Sequence, residues 1–172
     1  GMVSGSLGAI GRALDNIPIR ACLCYEVSDR DGPEVMLEGI EENLTWLKHC
    51  NSYEQANMRR ALFGLHAAFT LCEESLQKCA QAAYEERMGF HLHTAEDRLD
   101  QDENLARYGK RVVQRLADHG ILGSHTICAH CIHVYHEEIT LLAESGCLAV
   151  HNPQSNMNNA VGTMRLRPMM DK

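Results

Sequence analysis

The sequence predicts an α/β fold with parallel strands, and three observations carry that expectation. Short apolar runs of β-forming residues alternate with stretches whose apolar residues recur at helical spacing. Glycine stands at the junctions where helices should end, and no tight turn joins one strand run directly to the next. Strands separated by helices in this way are joined by right-handed crossovers and lie parallel.

The elements follow in order. Ile19–Tyr25 reads as the first strand, and Leu37, Ile40, Leu44 and Leu47 mark the apolar face of the helix after it. A second strand runs near Ala61–Leu65. Thr70 and Glu73 have the spacing of a capping box that opens a helix over Glu73–Met88, where Leu76, Cys79, Ala80 and Ala83 share a face and Gly89 closes it. The strand Phe90–His93 leads through an acidic loop into a helix over Glu103–His119, with Leu105, Val112 and Leu116 as its buried stripe and Gly120 as its stop. A strand over Thr126–His130, a helix over Glu137–Ser145 ended by Gly146, and a strand over Cys147–His151 complete the pattern. No linker or low-complexity segment interrupts it, so residues 1–172 are expected to form a single domain.

Composition narrows the function. The 172 residues are 45% hydrophobic, enough for one packed core. Twenty-three acidic against sixteen basic residues give a formal charge of −7, and Arg165-Leu166-Arg167 is the densest basic stretch, which disfavours a nucleic-acid partner. No apolar run approaches a membrane span, and Gly1–Gly11 lacks the charged start and apolar stretch of a signal peptide. Eight scattered cysteines in a chain without an export signal are expected to be reduced thiols packed in the core, consistent with a cytoplasmic location.

In parallel α/β folds chemistry gathers at the carboxyl ends of strands. Here five successive strand ends are polar: Glu26 with Asp29, Arg30 and Asp31; then His66; then His91, His93 and Glu96; then His130; then His151 and Asn152. A lone histidine is more often an ordinary core or surface residue, and that reading is kept for His49, His119, His125 and His136. Coincidence with strand ends shifts the balance for the others. His91 and His93 lie two apart and so share a face, and Glu96 follows within reach of it. An imidazole can hold a divalent metal, and a carboxylate free of the metal can move a water proton. Asp97–Glu103 reads as a solvated loop and helix start without chemistry. The competing motif is Cys128-Ala-His-Cys131, flanked by His133 and His136, which could organise a small zinc-binding interaction module. A zinc ribbon needs a second cysteine pair, which the sequence does not supply at suitable spacing, so Cys128 reads better as a packing residue of a buried strand.

Three ordered motifs carry a resemblance: Phe90-His-Leu-His-Thr-Ala-Glu96, Ala129-His-Cys-Ile-His133, and Val150-His-Asn-Pro-Gln-Ser-Asn-Met-Asn-Asn-Ala-Val-Gly162. Together they resemble the cytosine, guanine and adenosine-type deaminase branch of the amidohydrolase superfamily, and Tyr25-Glu-Val-Ser-Asp-Arg-Asp-Gly32 is most similar to the aminohydrolases called SsnA. The resemblance implies a partial TIM (β/α)8 barrel, about strands three to seven with their helices, that does not close. It implies His93 as a metal ligand, Glu96 as the proton shuttle, and His130 as the histidine that contacts the attacking water or the developing tetrahedral centre. His66 would meet the substrate, while Asn152, Ser155 and Asn156 would shape the pocket.

The implied cofactor is one divalent metal ion, zinc or ferrous iron, and the implied partner a small heterocyclic substrate resembling a nucleobase. The family's His-x-His pair on the first strand and its aspartate on the eighth, both metal ligands, have no counterpart here. A closed barrel takes about 250 residues. The isolated chain is therefore expected to be inactive and to expose two sheet edges and an apolar concave face, which is compatible with poor solubility or a homo-oligomer.

Overall fold

The computed structural model describes residues 3–52 and 58–172; of the Gly1–Gly11 stretch, Gly1 and Met2 lie outside the described residues. The chain runs α1 (Ser6–Leu14), β1 (Ala21–Leu23), α2 (Pro33–Ser52), β2 (Arg59–Ala61), β3 (Phe63–Ala67), a short 3-10 turn (Ala68–Thr70), α3 (Glu73–Glu85) and β4 (Phe90–Thr94). It continues through α4 (Arg98–Tyr108), α5 (Val112–Asp118), β5 (Ile127–His130), α6 (His136–Ser145), β6 (Leu148–Val150), α7 (Pro153–Asn158) and α8 (Leu166–Met170). Every strand pairing is parallel, as the alternation predicts.

The expected second strand is one extended segment that changes partner. β2 pairs with β1, and β3 pairs with β4. A bridge from Val27 to Leu65 keeps the register of the β1 pairing, so the segment still acts as one stave between its neighbours. β5 and β6 follow in order, giving a row of staves that does not close. β6, paired to β5 on one side only, is exposed along its whole length, as an edge strand is.

Helices cover one side of this row, and the core lies between. On α2 the buried residues are Met36, Gly39, Asn43, Trp46 and Cys50, so the stripe is rotated by one residue from the Leu37, Ile40, Leu44, Leu47 face that the sequence suggests. Leu37 is 50% exposed. The reason is Asn43, a polar residue that periodicity assigns to solvent. Its Oδ1 accepts the Tyr25 and Gly64 N–H groups at 2.8 and 3.2 Å, and its Nδ2 donates to Tyr25 O at 3.1 Å. This side chain ties α2 to two adjacent staves where their own ladder is interrupted.

Three further expectations are corrected. The capping box of Thr70 and Glu73 does not form: α3 starts at Glu73 without a side-chain cap, Thr70 donates to Ala67 O, and the Asp29 carboxylate accepts the Cys72 N–H. Glu73 turns instead to the buried Arg115 guanidinium and to His119. The helix expected over Glu103–His119 is two helices, because Gly109 takes a left-handed φ of 64° and ends α4. Leu105, placed in the buried stripe, is 42% exposed, whereas Val112 and Leu116 are buried as expected. Finally, Asp97–Glu103 is the expected helix start, with Asp97 as the N-cap of α4, but it is not solvated throughout: Asp100 within it is buried and accepts N–H bonds from Ala95 at 2.9 Å and Phe69 at 3.3 Å. Asp100 thus ties the loop after β4 to the turn after β3, beneath the polar strand ends. Burial raises its carboxyl from the ordinary 3.8 to about 7.

Candidate active site

Three adjacent staves each deliver one imidazole to the concave side. His66 lies on β3, His93 on β4 and His130 at the end of β5. The ring centroids of His66 and His93 are 5.4 Å apart, and those of His93 and His130 are 5.5 Å apart. The alternation of β4 explains its part: Phe90, Leu92 and Thr94 are buried toward the helices, which turns His91 and His93 the other way. The register of β3 shifts between Gly64 and Ala67, and His66 sits in that irregularity.

Backbone strain concentrates at the same place. Ala95, His130 and Cys131 have φ values of 47°, 72° and 46°, in the left-handed region that non-glycine residues rarely enter. Each costs on the order of 1–3 kcal/mol and is held by its surroundings. The Cys131 N–H donates to Thr94 O at 2.9 Å, and the Ile132 and His133 N–H groups donate to Ala95 O, so the two strained strand ends brace each other. The sharp turn at Ala95 brings Glu96 back over the site.

The carboxylate of Glu96 lies 3.6 Å from His130 Nε2 through Oε2, while Oε1 accepts a hydrogen bond from Asn159 Nδ2 at 3.1 Å. His130 is buried, and its Nδ1 pairs with Asn156 Oδ1 at 2.7 Å. An amide oxygen accepts, so His130 carries its proton on Nδ1 and turns the Nε2 lone pair toward Glu96 and Asn152 Nδ2, the latter 3.4 Å away. Asn156 Nδ2 in turn lies 3.4 Å from His151 Nδ1. On the other flank Glu26 Oε1 is 3.5 Å from His66 Nε2 and 3.4 Å from His93 Nδ1.

His66, His93, Glu96 and His130 are therefore brought together as the sequence suggests. One contributor, Asn159, escapes the sequence reading: it holds Glu96. Asn156, expected to shape the pocket, holds His130 from a fully buried position, and Glu26, expected only as a polar strand end, joins two of the histidines. The asparagine-rich run after β6 contains Asn156 and Asn159, but only the return of α7 over β5 gives those side chains their partners. Of the flanking histidines, His133 bonds Val161 O through Nε2 at 2.9 Å, and His91 lies 3.7 Å from Cys24 Sγ.

Burial, helped by the nearby Arg30 and His93 charges, lowers the His66 pKa from 6.5 to about 4, and Glu96 opposes this without reversing it. The unfolded chain then binds a proton at this residue between those values while the folded chain does not. The contribution is present above pH 6.5 and is lost as pH falls toward 4. In urea titrations without added metal, stability is expected to fall over that window, with a shallower fall in His66→Gln.

The Cys128 and Cys131 alternative is not favoured. Both thiols are buried, Cys131 Sγ bonds Cys128 O at 3.4 Å, and burial pushes the Cys131 thiol upward, against the thiolate that zinc needs. Among the described residues, the group whose donor atoms could hold a metal ion is Glu26, His66 and His93, with those atoms all within 4.8 Å of one another. Two imidazoles and a carboxylate suit zinc or ferrous iron.

Parallel staves that present histidines and a carboxylate at their carboxyl ends define the class: a barrel-type α/β fold with its polar groups gathered where such folds carry their chemistry. The chain belongs to the Amidohydrolase family, whose sequence pattern matches residues 6–172. Among curated relatives, the 5-methylthioadenosine/S-adenosylhomocysteine deaminase of Symbiobacterium thermophilum is 30% identical over 95% of this chain and 38% of its own length. The 5'-deoxyadenosine deaminase of Methanothermobacter thermautotrophicus is 29% identical over the same shares. The chain thus spans less than two fifths of these relatives.

Among solved structures, an adenosine deaminase from Xanthomonas campestris with bound zinc superposes with a TM-score of 0.82 at 22% identity, over 96% of this chain and 37% of that one. A guanine deaminase from C. acetobutylicum with bound guanine gives 0.85 at 19% identity, over 99% and 42%. The fold is accordingly an open part of a (β/α)8 barrel.

Proposed function

We propose that residues 1–172 form a single partial catalytic domain of a metal-dependent aminohydrolase. The reaction is hydrolytic removal of an amino group from an electron-poor carbon of a nucleobase-like heterocycle, and the observation that carries this reading is the facing pair of Glu96 and His130 beside His93. The deaminase names of the relatives support the substrate class, and an adenosine-type nucleoside is favoured over a free base because the curated relatives act on 5'-modified adenosines. The Tyr25–Gly32 motif supports an SsnA-type member. That no helix among the described residues is long and apolar enough to cross a membrane, and that the charge is net acidic without a basic cluster, are compatible with a cytoplasmic enzyme and a small-molecule partner.

His93 would hold a divalent metal ion together with ligands from strands outside this chain. When bound, the metal would lower the pKa of a water molecule toward neutrality. The rest belongs to the protein's own groups. Glu96 takes a proton from the attacking water as its oxygen bonds to the amino-bearing carbon, and returns that proton to the adjacent ring nitrogen. His130 Nε2 turns its lone pair to the same point, takes the remaining hydroxyl proton as the tetrahedral centre forms, and as an imidazolium stabilises the oxygen left charged. It then passes that proton to the amino group, the C–N bond breaks and ammonia leaves. Asn159 and Asn156 fix the two groups so that no reorientation is needed during the reaction. His66 borders the pocket where the heterocycle would lie.

The test is ammonia release from adenosine, 5'-deoxyadenosine, guanine and cytosine by a chain extended to supply the remaining barrel strands and loaded with zinc. Release from an adenosine-type nucleoside is expected. Release from none of the four would overturn the proposal.

A further inference from the structure

We propose that Asp100 is a positioning residue for the reaction: its buried carboxylate fixes the turn at Ala95 that aims Glu96, and it acts on the proton shuttle without touching it. The inference rests on the reading of Glu96 as that shuttle. It concerns a side chain of α4, on the helical side of the staves.

Three N–H donors converge on two oxygens. Asp100 Oδ2 accepts the Ala95 N–H at 2.9 Å, while Oδ1 accepts the Phe69 N–H at 3.3 Å and Asn104 Nδ2 at 3.1 Å. Asn104 cannot turn its oxygen to Asp100 instead, because that oxygen already accepts from the buried Arg115 guanidinium at 3.1 Å. All three contacts therefore call for an acceptor, which a carboxylate supplies at both atoms and an amide at only one. Burial works against the charge; the Ala95 and Phe69 bonds and Arg115 on α5 favour it, and Glu138 on α6 opposes it. A buried acid kept beneath the strand ends against its own desolvation is explained by what it holds.

What it holds is a strained turn. Ala95 has a φ of 47°, which a residue with a side chain keeps only where its surroundings impose it. Asp100 grips the Ala95 N–H from one side, and the Ile132 and His133 N–H groups grip its carbonyl from the other. Glu96 is the next residue, so its direction follows from that turn, and its Oε2 comes to 3.6 Å from His130 Nε2. Ala95 O links the same turn to the residues just beyond His130.

The unequal load on the two oxygens makes the consequence specific. Asp100→Asn replaces them by one oxygen and one NH2 group. With the oxygen in the Oδ1 position, Phe69 and Asn104 stay satisfied and the NH2 group opposes Ala95 alone. The reverse placement would set it against two donors, so the first is favoured. The variant then keeps the turn after β3, beside His66, and leaves a buried Ala95 N–H without its acceptor.

The experiment joins hydrogen exchange to kinetics in the completed, zinc-loaded barrel. In Asp100→Asn the Ala95 amide is expected to exchange at least about tenfold faster, with Phe69 protection unchanged. The kcat is expected to fall about 10²-fold, the cost of misplacing a group by about 1 Å, with KM and zinc content within about twofold of the unmodified protein. In a Glu96→Gln background the same substitution is expected to cost no more than about twofold, because nothing remains for Asp100 to position. If circular dichroism shows that Asp100→Asn does not fold, Asp100→Glu carries the test: it keeps both acceptors but moves them by one methylene, so Ala95 exchange should rise and kcat should fall with KM unchanged. Unchanged Ala95 exchange, a full further loss in the Glu96→Gln background, or a loss expressed in KM would overturn the inference. Exchange needs no turnover, so it decides the matter even where no substrate is deaminated, a result that would count against the deaminase reading alone.

Discussion

Glu96→Gln, placed in a chain extended to a complete barrel, is expected to lower kcat by about 10²–10⁴-fold, the span that a positioned general acid–base contributes. The substitution keeps the size of the side chain and keeps an oxygen to accept the Asn159 N–H, so the strained turn at Ala95 has no reason to relax. What it removes is the ability to take a proton from water and give it back. Metal content should match that of the unmodified protein, because Glu96 is the proton shuttle of the proposal and not one of its metal ligands, and its donor atoms are not among those placed to hold an ion. Steady-state kinetics beside metal analysis makes the check. An equal fall in metal and turnover would make Glu96 a ligand and not a shuttle.

His130→Asn is expected to cost about 10²–10³ in kcat, the loss typical when one group stabilising a developing oxyanion is removed. Nε2 disappears from the Glu96 side while a short polar side chain stays near Asn156. The KM should change much less than kcat, since the charge that His130 meets exists only as the reaction proceeds. Asn156→Ala acts through His130 by freeing Nδ1, and a smaller fall in the same direction should follow. A KM effect as large as the kcat effect would assign His130 to substrate binding.

Much of this was legible before any coordinates. The strands over Phe90–Thr94 and Ile127–His130 fall where apolar runs bounded by polar residues put them, and period-two alternation correctly aims His91 and His93 to one side. Glu96, His130 and His66 reach the site for the reason the strand ends suggested. What stayed hidden depends on tertiary partners. Asn43 looks like a solvent-facing helix residue until two staves need its amide, and its burial rotates the whole α2 stripe away from Leu37. Asp100 looks like one more exposed acid until it is seen to satisfy the Ala95 and Phe69 N–H groups. Asn156 and Asn159 share a polar loop with other asparagines, and no local pattern distinguishes the one that meets His130 from the one that meets Glu96. Gly109 falls inside a long helical pattern, and only its left-handed φ divides that pattern in two.

The central claim is hydrolytic deamination, and the most direct measurement is the mass of the product formed by the zinc-loaded, completed barrel in ¹⁸O-labelled water. The account predicts a heterocycle in which the amino group is replaced by one labelled oxygen, with ammonia released in equal amount. An unlabelled product, or a nucleoside recovered with its amino group intact and another bond cleaved, would contradict it.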